Sequence, residues 1–333
     1  MYQMHCFSEK KSFKEKIKVG FVGVGCYGTA LAQSFCSNNI DVVLVSDSKD
    51  VCDSINNNHV HFKALPEVHL SPSLLCSTSY DSLSDVDAIF ITTPAKSAVQ
   101  VCKDVSHFNV PLILCSKGLD PDSGRLLSDA IMRSVKNDIL VFSGPSFAVE
   151  VANGQYAAVN LAGKNQQLAI ELSKRITSEK LNVIPISDYI GLQVFGIFKN
   201  VLAVVGGVLR GLDAGNSAIA SMLTLGVQDV LQLNNFFGGN DETFFEVGGF
   251  GDTLLTCTSE KSRNVLFGEF CAKNPADKWV GALAEGALTA KWIPVLEERY
   301  SIKLPVLNKI YSIIYEKCSA EKLLSDIEIV ARL

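Results

Sequence analysis

One charged side chain stands alone in the most apolar stretch of this sequence. Between Tyr189 and Leu209 the chain reads YIGLQVFGIFKNVLAVVGGVL, with Lys199 its only charged residue. Ile190, Val194, Ile197, Val201 and Val205 recur at helical spacing, which assigns one face to a core. An ammonium among such neighbours must be paired with an acid or give up its proton. Desolvation can make a lysine a proton donor and acceptor near neutral pH. Taken alone, the residue fits equally well a lysine that extends its charge to the surface. The stretch is long enough to cross a bilayer. Its four glycines, Gln193, Asn200 and the lysine fit a buried helix better, and predict no membrane span.

A second constellation lies near the N-terminus. A predicted strand, Ile17–Val22, runs into Gly23-Val24-Gly25-Cys26-Tyr27-Gly28, and a helix follows from near Thr29. In this GxGxxG pattern Gly23 permits the tight turn and Gly25 lets the backbone approach a pyrophosphate. Gly28 allows close packing of helix on strand, and the helix N-terminus attracts the anion. A second strand, VVLV, ends at Ser46-Asp47. Asp47 therefore stands about 20 residues beyond the glycines, where a carboxylate receives the adenosine ribose hydroxyls; a solvated turn residue is the other reading. Together these features predict a nicotinamide dinucleotide, with NAD(H) preferred over NADP(H).

The elements that must position these residues follow a clear order. Strands are predicted at Ile17–Val22, Val42–Val45, Ala88–Thr92, Leu112–Cys115 and Ile139–Phe142, with further signals at Ala157–Leu161 and Asn182–Pro185. Their alternation with helical stretches predicts a parallel, doubly wound α/β sheet of the Rossmann type. After about Asp188 only helical runs follow. Residues 1–16 then form a polar extension, 17–188 a dinucleotide-binding domain and 189–333 an all-α domain, with a substrate cleft between the last two. The 333 residues suffice for two cores. A net charge of −5 offers no basic surface for nucleic acid, so an anionic substrate needs a locally built site. Ten scattered cysteines, with no CxxC pair or Cys/His cluster, predict free thiols in a reducing cytoplasm and no metal site.

Further motifs complete the pattern. Ser116-Lys117-Gly118 follows one strand, and SGPSFAVEVA, residues 143–152, follows another. Lys199-Asn200-Val201 lies in the apolar helix, and GGFGDTLLTCTS, residues 248–259, runs on to Ser262-Arg263-Asn264. This ordered set resembles the NAD(P)-dependent glycerol-3-phosphate dehydrogenases of the bacterial type, from about Ile17 to the C-terminus. The resemblance implies reversible hydride transfer between a nicotinamide ring and C2 of glycerol 3-phosphate, with dihydroxyacetone phosphate as the oxidised partner. It further implies a homodimer that supplies glycerol phosphate for phospholipids.

The residue chemistry suits that reaction. Oxidation of a secondary alcohol needs a proton acceptor near the oxygen, a role for Lys199, which returns the proton in the reducing direction. Lys117 lies where doubly wound folds place ligands; the resemblance puts it in contact with substrate and cofactor, although alone it fits a solvated loop lysine. Asp252 would orient Lys199 or a substrate hydroxyl. Arg263 suits a bidentate grip on phosphate, with Asn264 beside it and Ser262 as a helix N-cap. Alone, SRN reads as a cap with a surface arginine. The resemblance adds Gly144, Ser146, Asn200 and Thr256 on the substrate side. On the cofactor side it adds Cys26, Tyr27, Lys117, Ala148, Arg263, Leu283 and Glu285.

Some positions depart from the family pattern. Tyr27 replaces a tryptophan or phenylalanine, and Asp47 an arginine or histidine, which sets NADPH at a disadvantage. Arg210, Asp213, Ser217 and Leu225 replace Asp, Gly, Asn and Arg, and the lost arginine removes a charge near the cleft. Two rivals share parts of this pattern. A β-hydroxyacid or 6-phosphogluconate type dehydrogenase also has a helix-borne lysine but lacks the SRN block. A non-catalytic dinucleotide sensor would have no use for both Lys199 and Asp252.

Overall fold

The computed structural model describes residues 16–275 and 277–325. The expected extension over residues 1–16 lies, apart from Lys16, outside the described residues. Eight strands form one sheet: β1 (Lys18–Val22), β2 (Asp41–Val45), β3 (Leu75–Ser77), β4 (Ala88–Ile91), β5 (Leu112–Leu114), β6 (Ile139–Ser143), β7 (Ala157–Gly163) and β8 (Leu181–Ile186). Their order across the sheet is β3-β2-β1-β4-β5-β6-β7-β8. The inner strands are runs such as AIFI and LIL, buried on both faces, as a parallel sheet covered by helices requires.

Two features differ from the sequence expectation. The edge strand β3 has only three residues, LCS, too few to show a period. The pair β6–β7 is antiparallel, whereas every other pairing is parallel. The link between them holds a helix of only five residues, Ala148–Ala152. At 1.5 Å per residue it spans about 7 Å, less than the roughly 16 Å of a five-residue strand. After this short link the next strand pairs in the opposite direction.

One face of the sheet packs around Phe21, Phe35, Phe90 and Phe142. The rings of Phe21 and Phe90 stack at 4.7 Å between centroids, and Phe35 meets Phe90 edge-on. Such contacts are worth about 0.5–1.5 kcal/mol each beyond burial.

The lysine-bearing segment forms one helix, Tyr189–Gly211, starting three residues after β8. Asp188 caps it, its side chain accepting from the backbone N–H groups of Ile190 and Gly191. Its 18-residue apolar window is 94% buried inside the protein, so other elements cover it on nearly all sides. The glycines explain how. A Cβ on Gly207 would lie 2.1 Å from the Val265 carbonyl oxygen, and one on Gly268 would lie 2.4 Å from that of Val204. The lysine helix and helix Arg263–Lys273 therefore meet backbone to backbone, and the SRN block is drawn against it.

Candidate active site

The glycine turn is built for an anion. Gly23 has φ +104°, and a Cβ there would strike the Thr93 backbone nitrogen at 2.6 Å. A Cβ on Gly28 would meet the Gly23 carbonyl oxygen at 2.4 Å, which is the close approach of helix to strand. Thr92 holds the turn by donating its hydroxyl to that same carbonyl at 2.7 Å, and the buried His61 ring reaches Val24 O at 2.9 Å. Over Gly25 the Cβ position is open, with nothing within 4 Å. The helix Cys26–Ser37 starts there, three residues earlier than expected, with no side-chain cap and no acid in its first turn. Its free N–H groups and the open face fit a dinucleotide pyrophosphate. Asp47 stands exposed just beyond β2.

Two lysines lie near enough for the charge of Lys199 to act on Lys117. Lys117 lies beyond the C-terminal end of β5 and donates to Ser143 Oγ at 2.5 Å and to the Phe142 carbonyl at 3.4 Å. Burial pushes its pKa down to about 8, with the Lys199 charge adding to that and Asp252 and Glu285 opposing it. Gly196, one turn before Lys199, makes room: a Cβ there would lie 2.8 Å from Ser143 Oγ and 3.5 Å from Lys117 Nζ. Lys199 is buried and its ammonium donates to Asp252 Oδ1. Asp252 opens helix Asp252–Thr258, directly after a π turn at Val247–Gly251. Its other oxygen, Oδ2, is buried with no hydrogen-bond partner among the described residues. A carboxylate oxygen so placed is an acceptor waiting for a donor.

Around this pair the remaining site residues divide into two groups. Asn264 is held at both ends, its Nδ2 donating to Asn200 Oδ1 at 3.0 Å and its Oδ1 accepting from Gly286 N at 2.9 Å. Asn200 Nδ2 in turn points at Glu285 Oε2, 3.5 Å away. These amides tie three helices together. Thr256 donates back to the Asp252 carbonyl, and a Cβ on Gly144 would strike β7 at Val159 Cα, 2.6 Å away. Ser146 meets the Tyr27 hydroxyl at 3.1 Å, joining the glycine-turn helix to the SGPS segment. Ala148 is half-buried at the start of the short helix there, and Leu283 is exposed.

The second group gathers at the start of the Arg263 helix. Ser262 is the expected N-cap, accepting from Val265 N, and exposed Arg263 begins the helix. The Arg263 charge acts on both Cys26 and Glu285. Burial raises the Glu285 pKa, against the pull of Arg263, Lys199 and Lys117. Cys26 begins the helix that follows the glycine turn. Ser143, Gly196, Thr92 and His61 were not legible as site residues. Only contacts brought about by folding give them their parts.

Residues 18–169 match the N-terminal family of NAD-dependent glycerol-3-phosphate dehydrogenase, and residues 188–325 match the C-terminal family. The chain belongs to the NAD-dependent glycerol-3-phosphate dehydrogenase family. Among its relatives, the glycerol-3-phosphate dehydrogenase [NAD(P)+] of Neorickettsia sennetsu is 32% identical over 296 residues, 88% of each chain. That of Tropheryma whipplei is 32% identical over 329 residues, 97% of this chain and 96% of the relative. The crystal structure of glycerol-3-phosphate dehydrogenase from Coxiella burnetii superposes with a TM-score of 0.86 at 29% identity, covering 93% of this chain and 98% of that one. Family membership accounts for the glycine turn, the sheet and the helical second half together. Leu225, where the family pattern has arginine, packs against the helical core. Arg210 donates to the Thr258 carbonyl at 2.9 Å and ties the lysine helix to the TCTS helix.

Proposed function

We propose that this protein catalyses reversible hydride transfer between a nicotinamide dinucleotide and the glycerol 3-phosphate/dihydroxyacetone phosphate pair. The observation that carries the reading is the buried Lys199–Asp252 pair, with Asp252 Oδ2 unpartnered beside it. A bound nicotinamide supplies the hydride at C2 in the reducing direction and accepts it in the oxidising one. In reduction, Lys199 Nζ donates a proton to the substrate oxygen as charge develops there, and in oxidation it takes the proton back. Asp252 Oδ1 replaces the lost hydration of the ammonium, and Oδ2 accepts from a substrate hydroxyl. Lys117, held by Ser143, stabilises the carbonyl oxygen as it becomes negative. Arg263 and the amides at the start of its helix take the phosphate.

Further parts of the reading rest on sequence and resemblance. Asp47 favours NAD(H) by accepting from the ribose diol and repelling a 2′-phosphate. The work divides near residue 188 between a dinucleotide-binding half and a helical catalytic half. The enzyme acts as a cytoplasmic homodimer that supplies glycerol 3-phosphate for phospholipids. The test is NADH oxidation with dihydroxyacetone phosphate and, in parallel, with unphosphorylated dihydroxyacetone. Rapid oxidation with the first and slow oxidation with the second supports the reading, and no oxidation with either defeats it.

A further inference from the structure

Asn160 is the only polar side chain in the strand AAVNLAG, β7, and it is fully buried. A buried amide needs partners, and those of Asn160 lie in two separate segments. Its Oδ1 accepts from Gly248 N at 2.7 Å. Its Nδ2 donates to the Ile184 carbonyl in β8 at 3.3 Å and to Glu246 Oε2 at 3.4 Å. Two of these three contacts go to the glycine-rich segment that immediately precedes Asp252.

That segment is unusual. Val247–Gly251 winds as one π turn before the helix Asp252–Thr258 begins. π turns are rare, and they concentrate at functional sites. This one is pinned from three sides. A Cβ on Gly248 would lie 2.4 Å from Leu192 Cδ1, 2.8 Å from Ser143 O and 3.0 Å from Asn160 Oδ1. The lysine helix, the residue that holds Lys117, and Asn160 thus press on the same glycine. Asp252 follows at the end of the turn.

We propose that Asn160 is a positioning residue for the reaction. By accepting from Gly248 N and donating to Glu246, it holds the π turn in the register that places the Asp252 carboxylate on Lys199. Its effect on turnover passes through Asp252. The inference rests on reading Lys199 and Asp252 as the proton-transfer pair.

Asn160→Val keeps a strand-compatible shape and removes all three hydrogen bonds. It is expected to lower kcat by about 10- to 100-fold, the effect of displacing a catalytic group by about 1 Å, with KM for NADH almost unchanged. In an Asp252→Asn background the same substitution should cost at most about twofold more, because the group it positions is already gone. Amide hydrogen exchange over residues 247–253 should accelerate in Asn160→Val, a readout that needs no turnover. An unchanged kcat with unchanged exchange overturns the proposal, as does a full multiplicative loss in the Asp252→Asn background. Should Asn160→Val fail to fold, Asn160→Asp combined with Glu246→Gln decides, since it reverses donor and acceptor across that contact. Recovery of most of the turnover supports the proposal, and a loss as large as that of Asp252→Asn overturns it. A wild-type protein that does not oxidise NADH with dihydroxyacetone phosphate would defeat the enzymatic reading instead, leaving the exchange result to judge the positioning.

Discussion

Lys199 and Asp252, 53 residues apart in sequence, form an ion pair buried on both sides, with side-chain exposures of 11% and 3%. Removing either partner leaves the other charge uncompensated in the protein interior. Lys199→Met and Asp252→Leu should therefore each lower the unfolding free energy by about 3–5 kcal/mol. The double variant should recover most of that loss in a urea titration and remain inactive. Double-variant stability no better than that of the singles would show that the pair is not electrostatically isolated.

Gly196→Ala tests the packing of the two lysines. The added Cβ meets Ser143 Oγ, a side chain that can rotate away, and alanine gains about 1 kcal/mol of helix propensity over glycine. Stability should change by no more than about 1 kcal/mol, while the Lys117–Ser143 contact is displaced and kcat falls about tenfold or more. Thermal unfolding and steady-state kinetics on one preparation separate the two effects. Activity retained at wild-type stability would show that the Lys117–Ser143 contact is dispensable.

Lys117 should govern the alkaline side of the pH profile. With its pKa pushed down to about 8, kcat/KM for dihydroxyacetone phosphate should fall as pH rises through that value. Stability should move the other way. Between about 8 and the ordinary 10.5 the unfolded chain binds the Lys117 proton and the folded protein does not, so this residue's contribution to stability rises with pH. The difference in unfolding free energy between wild type and Lys117→Met should show that slope, and a flat difference would contradict it.

Asp47 should set the cofactor preference. Wild-type kcat/KM is expected to be higher with NADH than with NADPH. Asp47→Ala should narrow that ratio by about tenfold, equivalent to 1.4 kcal/mol, as the repulsion of a 2′-phosphate disappears. Equal values for both cofactors in the wild type would remove Asp47 from this role.

Much of this arrangement is visible in the sequence, for identifiable reasons. The glycine turn follows a strand directly, so its three glycines keep their meaning without tertiary information. Lys199 stands out because nothing else between Tyr189 and Leu209 is charged, and Asp252 because its motif is distinctive. Burial pushes the Lys117 pKa down, while Lys199 is paired with Asp252. Which lysine receives the carboxylate is decided by a contact across 53 residues, beyond the reach of local pattern. Strand β3 is too short to carry a period, and no local pattern marks the antiparallel direction of the β6–β7 pairing. The sequence places Asn264 beside Arg263, while its contacts to Asn200 and Gly286 appear only on folding.

The most direct test is turnover of Lys199→Ala with NADH and dihydroxyacetone phosphate, measured with increasing concentrations of a small alkylamine. Loss of the proton-transfer group should lower kcat by about 10²- to 10⁴-fold, with NADH binding unchanged, and the added amine should restore part of the rate in proportion to its concentration. Turnover near the wild-type rate without amine would contradict the assignment of Lys199 as the proton donor and acceptor.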